Sequence, residues 1–312
     1  MAKMKIFKNS LYYIFIVFVL STIISCNKDV TVFVSLYYNA IDNSEGIRKD
    51  NQGNEDVVPD GNIGLTPDSI NFVGIHYLEF VQDSITPYKS GVPFYKSPET
   101  FEGNEAAIDF DSLIFSGNGE NIFVSNLKRI PPGTYKYLRV AVACLDYNVV
   151  ANIQDIPGVG DVENIPVNFT SFLGYRTYIR SITTNSISTD IFANRALGYF
   201  IFETLYEDEN KNFIYMNQVN SNAMNVVNEL SESAPIPVST AIITCTFDTP
   251  LEIIEDEDRD LYLYLNLTTN GILEFEDSNG NGQWDINAQM PVLTESVVDH
   301  GLRGISASYE FK

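Results

Sequence analysis

The chain has 312 residues, with 41 Asp and Glu against 19 Lys and Arg and a formal charge of -22. That balance excludes a nucleic-acid binder and a domain held to anionic lipid by basic patches, since both need surface cations. It leaves a well-solvated surface, cation binding, or repulsion from an anionic neighbour.

Lys3, Lys5 and Lys8 form a basic start without an acid, and Leu11 to Ile24 follow as an apolar run. At about 14 residues the run has the length of a signal-peptide core and falls short of the roughly 20 needed to span a bilayer. It stops at Ile23-Ile24-Ser25-Cys26, which resembles a bacterial lipobox. The resemblance implies that residues 1–25 are a signal peptide cut before Cys26. It also implies a diacylglycerol on the Cys26 sulfur and a palmitate-type acyl chain on the new amino group. Several chains on one residue hold a protein on a membrane where one would not. Asn27-Lys28-Asp29 resembles the export signal of surface lipoproteins in Bacteroidota-type bacteria, so residues 26–29 read as lipid anchor and export signal at the outer membrane, facing the cell surface.

From residue 30 to 312 the pattern is all-β. Val30 to Leu36 alternates with period two and predicts a strand. Residues 39–68 are polar and read as a long loop or a disordered insertion. Ile70–Val81 predicts a strand, 86–104 irregular structure around three prolines, and Ala107–Phe115 and Asn121–Leu127 two more strands. Pro131-Pro132-Gly133-Thr134 turns the chain into Tyr135–Cys144. Residues 150–168, broken by Pro157, Gly158, Gly160 and Pro166, read as a long connection or a break between two packed subdomains. Phe169–Tyr175, Thr177–Ile182, Ala196–Leu205, Phe213–Tyr215 and Val238–Phe247 are further strands, and 217–235 is the only stretch with a weak helical pattern. Leu261–Leu267 alternates without a fault. Thr269-Asn270-Gly271 predicts a hairpin into Ile272–Phe275, and Ile305–Phe311 an edge strand at the end. Short strands separated by Gly, Pro and Asn turns predict a β-sandwich with immunoglobulin- or transthyretin-like layers.

Catalytic chemistry is thin. His76 and His300 have no ligand-like spacing, so a zinc site or a Ser-His-Asp triad has little to build on. Cys144 and Cys245 each fall in phase with apolar neighbours; free buried thiols and a disulfide both stay open. The sharpest motif is Asp277-Ser278-Asn279-Gly280-Asn281-Gly282-Gln283-Trp284-Asp285. Side-chain oxygens recur at Asp277, Asn279, Asn281 and Asp285, with the Gln283 carbonyl between, a spacing that can wrap a Ca²⁺ ion. Position twelve is Ala288 rather than a bidentate Glu, so the loop is not an EF-hand, and the same residues also make a metal-free Asn-Gly turn. Asp68-Ser69-Ile70, Asp83-Ser84-Ile85 and Asp111-Ser112-Leu113 fit a loose O-glycosylation sequon. The 18 Tyr and 20 Phe supply rings for a core and, in part, for stacking sugars.

Leu127–Val140 with its Pro-Pro-Gly-Thr-Tyr, Phe172–Ile179, Asp277–Asp285 and Val297–Gly304 together resemble an uncharacterised family of Bacteroidota-type surface lipoproteins. The resemblance implies a lipidated, exported, mostly β protein; it adds a location, not a chemistry. The expected function is a non-enzymatic surface lipoprotein that binds a glycan or protein partner, with Ca²⁺ as a structural ion. The alternatives are a fimbrillin-like structural subunit and, with least support, a glycan hydrolase using paired carboxylates.

Overall fold

The computed structural model describes residues 29–38, 48–184, 187–208, 211–220, 228, 230, 232–235 and 242–312. Cys26 and the leader before it lie outside the described residues. Twenty strands carry the fold: β1 (Thr31–Tyr38), β2 (Asn62–Leu65), β3 (Ser69–Val81), β4 (Val92–Lys96), β5 (Glu99–Thr100), β6 (Ala107–Asp109), β7 (Ile114–Ser116), β8 (Asn121–Asn126), β9 (Gly133–Ile156), β10 (Gly160–Phe172), β11 (Arg176–Thr184), β12 (Ile187–Ala196), β13 (Tyr199–Asp208), β14 (Lys211–Asn220), β15 (Ile242–Ile253), β16 (Leu261–Leu267), β17 (Leu273–Glu276), β18 (Trp284–Asn287), β19 (Val297–Asp299) and β20 (Ile305–Phe311). Among the described residues the only helices are three single 3-10 turns, at Phe110–Ser112, Leu127–Arg129 and Pro291–Leu293. No described helix is long and apolar enough to cross a membrane.

The protein is an all-β sandwich. A 13-stranded sheet runs β14-β13-β10-β9-β15-β20-β16-β1-β8, with β3, β4, β7 and β18 attached beside it. Its two halves join at the β15–β20 contact, Phe247 opposite Ala307. Val32, Val34 and Leu36 of β1 and Leu261, Leu263 and Leu265 of β16 share one core with Leu138, Val140, Tyr147 and Phe169 of the other half. β16 shows why: its Leu residues are buried and its Tyr and Asn residues half-buried, in strict alternation. A slip of one residue would turn every Leu outward, and each is worth about 1.5–3 kcal/mol buried.

β9 is the spine. On one side it pairs first with β15 and then with β10, on the other first with β3 and then with β18. A second, four-stranded sheet, β12-β11-β6-β5, lies over the outer face of this half, on a small core of Ile108, Leu113, Cys144, Phe172, Ile179 and Ile201. A three-stranded sheet, β19-β17-β2, completes the molecule.

Several expectations change. Residues 150–168 are no connection: they form the turn end of the β9–β10 hairpin, with Gly158 and Gly160 at positive φ where the chain reverses. The alternation of Val149, Ala151 and Ile153 as buried residues was masked by the prolines and glycines that follow. Residues 217–220 of the expected helix are strand, paired through β13; most of 221–241 lies outside the described residues. The Thr269–Gly271 turn makes no hairpin. β16 pairs β1 and β20, and the turn sends β17 into the three-stranded sheet. β20 is internal, between β15 and β16, rather than an edge. Ala107–Phe115 is two short strands split by the 3-10 turn, and 86–104 contains β4 and β5.

Candidate functional site

The predicted calcium loop is a self-satisfied turn. Asp277 Oδ1 accepts from the Gly280 and Asn281 amides at 2.8 and 3.1 Å, and its Oδ2 from the Gly282 amide at 2.9 Å. Asn279 Oδ1 and Asn281 Oδ1 accept from the amides two residues on, those of Asn281 and Gln283. Asp285 is buried; its Oδ1 accepts from Asn152 at 2.8 Å, and the side-chain amides of Asn279 and Asn281 both reach its Oδ2. Glu295, missed by the sequence because it sits far outside the motif, closes the loop: it accepts from Ser278 N, Ser278 Oγ and Asp285 N at 2.8, 2.9 and 3.0 Å. Trp284 is fully buried against Phe169 and Phe202 and donates its indole N–H to the Glu295 carbonyl. Among the described residues no group of three or more His, Cys, Asp or Glu is arranged to hold a metal ion.

A cavity of about 450 Å³ opens where the neighbour of β9 changes from β15 to β10. Its floor is Ala141, Val142 and Ile242, its walls His76, Tyr77, Tyr88, Gly174 and Tyr175, and its rim Lys89, Lys96 and Glu99. The pairing register explains its two histidine-side walls. Ile75 faces Val142 and Tyr77 faces Ala141, so His76 is an extra residue on β3. Such a bulge re-aims side chains, and here it places consecutive residues, His76 and Tyr77, in one cavity. Gly174 permits the close approach of the opposite wall: a Cβ there would sit 2.6 Å from Ile108 and 2.8 Å from Thr177.

A buried ion pair props this cavity. Arg139 and Glu79 both have fully buried side chains, with Nη1 to Oε1 at 2.6 Å. Glu79 also accepts from the Tyr77 hydroxyl at 2.6 Å, and Arg139 donates to the carbonyls of Thr86 and Pro87. Arg139 thus pins the loop that carries Tyr88, where Lys89 adopts φ 62°. Three groups of the cavity are shifted by their surroundings. Burial pushes His76 down to about 4, keeping the ring neutral against the pull of Glu99, whose Oε1 lies 3.6 Å from Nε2, beyond hydrogen-bond distance. Burial pushes the Tyr175 hydroxyl up to about 12, with the Glu99 charge adding to it. Burial would raise Glu99 too, but Lys96 at 2.9 Å and the Tyr175 hydroxyl at 3.2 Å hold its carboxyl below the usual range.

The remaining sequence candidates are structural. Ser171 Oγ lies 2.5 Å from His300 Nδ1, and His300 Nε2 lies 3.2 Å from the Gly198 carbonyl. Both residues are fully buried, and this Ser-His pair clips β10 to the start of β13. Asp299 and Arg303, from the same motif, join Arg48, Asp56 and Glu274 in a buried ion cluster that ties the three-stranded sheet to the loop before it. Cys144 and Cys245 are both buried and are not joined by a disulfide. Cys245 pairs with Leu138, six residues along β9 from Cys144, about 20 Å at strand rise. Of the sequon serines, Ser69 is exposed and Ser84 and Ser112 are half-buried. No family model matches the chain, and no curated protein or solved structure matches it either.

Proposed function

We propose that the chain is a non-enzymatic outer-membrane lipoprotein, anchored through Cys26, that presents a glycan-binding cavity at the cell surface. The cavity beside His76 carries this reading. Three tyrosines and an imidazole surround an apolar floor, and a Lys96–Glu99 pair stands at the rim. Sugars present CH faces to rings and hydroxyls to polar groups, which is the chemistry these walls supply. The neutral His76, whose Nε2 has only Glu99 Oε1 at 3.6 Å before it, offers a ring nitrogen for a sugar hydroxyl. The experiment is a polysaccharide panel read by pull-down, with Tyr175→Ala and Tyr88→Ala beside the wild type. Binding that both variants lose supports the site; binding that both retain removes it. Metabolic labelling with a fatty acid, lost in Cys26→Ser, tests the anchor.

The fibre-subunit alternative drew on an edge-like last strand; with β20 internal, exchange of that strand has less support. Calcium remains as a structural ion on a specific observation. The Asn279 and Asn281 amide groups converge on Asp285 Oδ2, and turning both over would set their oxygens beside that of Asp285. Asp277, the Gln283 carbonyl and Glu295 are the further oxygens at hand, and bound Ca²⁺ would stiffen the loop. Calorimetry with Ca²⁺ on the wild type and on Asp277→Ala/Asp285→Ala tests this; heat of binding in both, or in neither, rejects it.

A further inference from the structure

A second cavity, of about 500 Å³, lies at the other end of β11. Tyr175, just before β11, lines the first cavity, whereas Ile182 and Thr183, near its end, line the second. A second β3 bulge builds it. Ile70 faces Tyr147 and Phe72 faces Asp146, so Asn71 is the extra residue and Asn71 and Phe72 both line the space. Three rings wall it. Phe115 meets Phe72 edge-on at 5.1 Å and Phe110 at 5.4 Å.

At its base is Asp146, 3% exposed. Its Oδ1 accepts from Asn71 Nδ2 at 2.7 Å and Asn168 Nδ2 at 2.8 Å, and its Oδ2 from Thr170 Oγ1 at 2.5 Å. All three donors are neutral, and among the described residues no cation pairs with it. Asn168, 6% exposed and also lining the cavity, spends its N–H on Asp146 and leaves Oδ1 with no partner. A buried carboxylate without a cation is costly, and so is a buried acceptor without a donor. Burial accordingly pushes the Asp146 carboxyl up. The site is thus rich in acceptors, poor in donors and walled by aromatic rings. The ligand that answers all three is a cation with several N–H donors.

We propose that the cavity of Phe72, Phe110, Phe115, Asn168 and Asp146 binds a primary alkylammonium group, with Asp146 as counter-charge, Asn168 Oδ1 as second acceptor and the phenylalanines around the alkyl stem. The inference is independent of the glycan reading, which concerns the other cavity.

The test is calorimetric titration of the full chain with n-butylammonium, against the equal-sized neutral n-butanol, in 150 mM salt to screen the acidic surface. Saturable binding of the amine, at least tenfold tighter than the alcohol, is expected. Asp146→Asn should lose at least tenfold while keeping a cooperative melt. It removes one charge from a chain with 41 acids, so diffuse attraction would hardly notice it. Phe115→Ala, at a partly exposed ring, should lose a few-fold and serves where Asp146→Asn does not fold. Equal binding of amine and alcohol, an amine affinity untouched by Asp146→Asn or Phe115→Ala, or no saturation overturns the proposal.

Discussion

The two cavities are built by one device and completed by opposite ones. In each, a single-residue bulge in β3 turns two neighbouring side chains into the same space, His76 with Tyr77 and Asn71 with Phe72. In the first, the buried acid Glu79 has its cation, Arg139, and the pair serves as a strut for the tyrosine loop. In the second, the buried acid Asp146 has only neutral donors. A compensated charge holds a wall in place; an uncompensated one leaves an electrostatic debt that a ligand can settle. The difference separates scaffold from recognition at positions that look alike in sequence, each a charge inside an apolar strand.

The largest test of that difference breaks the compensated pair. Arg139→Met should cost about 3–5 kcal/mol because Glu79 is left buried without a cation, with only the Tyr77 hydroxyl beside it. Glu79→Met/Arg139→Met should recover most of the loss, measured by urea unfolding; a double variant no better than the single would mean that the charges do not compensate each other.

Acid should then drive the two cavities apart. His76, and likewise His300, are pushed down to about 4 by burial, so the unfolded chain takes their protons first. Stability contributed by neutral His is present at neutral pH and lost as pH falls from 6.5 towards 4, on the order of 3 kcal/mol for each ring. His300→Gln should flatten that fall in a pH series of melts. Asp146 runs the other way. Its folded carboxyl lies above its unfolded value of 3.8, so the fold is penalised at neutral pH and relieved as pH drops through the raised value. Asp146→Asn should therefore raise Tm at pH 7, by about 2–4 °C for each kcal/mol recovered, with the gain vanishing near pH 4. A lower Tm at pH 7 would mean that the carboxylate is already compensated.

The smallest effect is the baseline. Ser278→Ala removes one hydroxyl from Glu295 in a loop whose acceptors are already filled, and should cost about 0.5–1.5 kcal/mol without calcium. A larger loss would show that the loop leans on that hydrogen bond more than its geometry implies.

Strands whose burial alternates, such as β16, were readable residue by residue, because one buried face writes its period into the sequence. Asp277–Asp285 was readable as a tight turn for the same local reason, but not its closure by Glu295. What stayed hidden depends on pairing. A bulge is a count of residues on β3 against residues on β9, and neither strand carries that count alone. Asn71, Asp146 and Asn168 meet only because β3, β9 and β10 lie side by side. Their signal was present but mute: Glu79, Arg139 and Asp146 each interrupt an apolar run, which marks a polar side chain with a buried purpose without naming it.

β1 has a mechanical meaning. Val32 to Tyr38 pair in parallel with Leu261 to Leu267, and the proposed lipid lies only a few residues before the strand. Under the proposed anchor at Cys26, a load on the domain enters it at the start of β1, and the part of that load that runs along the strand meets a parallel ladder. That direction loads the whole ladder at once in shear, instead of opening it bond by bond like a zip. With the proposed lipid on Cys26, β1 would be the grip of a tether, held by its seven-residue register with β16 and its shorter one with β8.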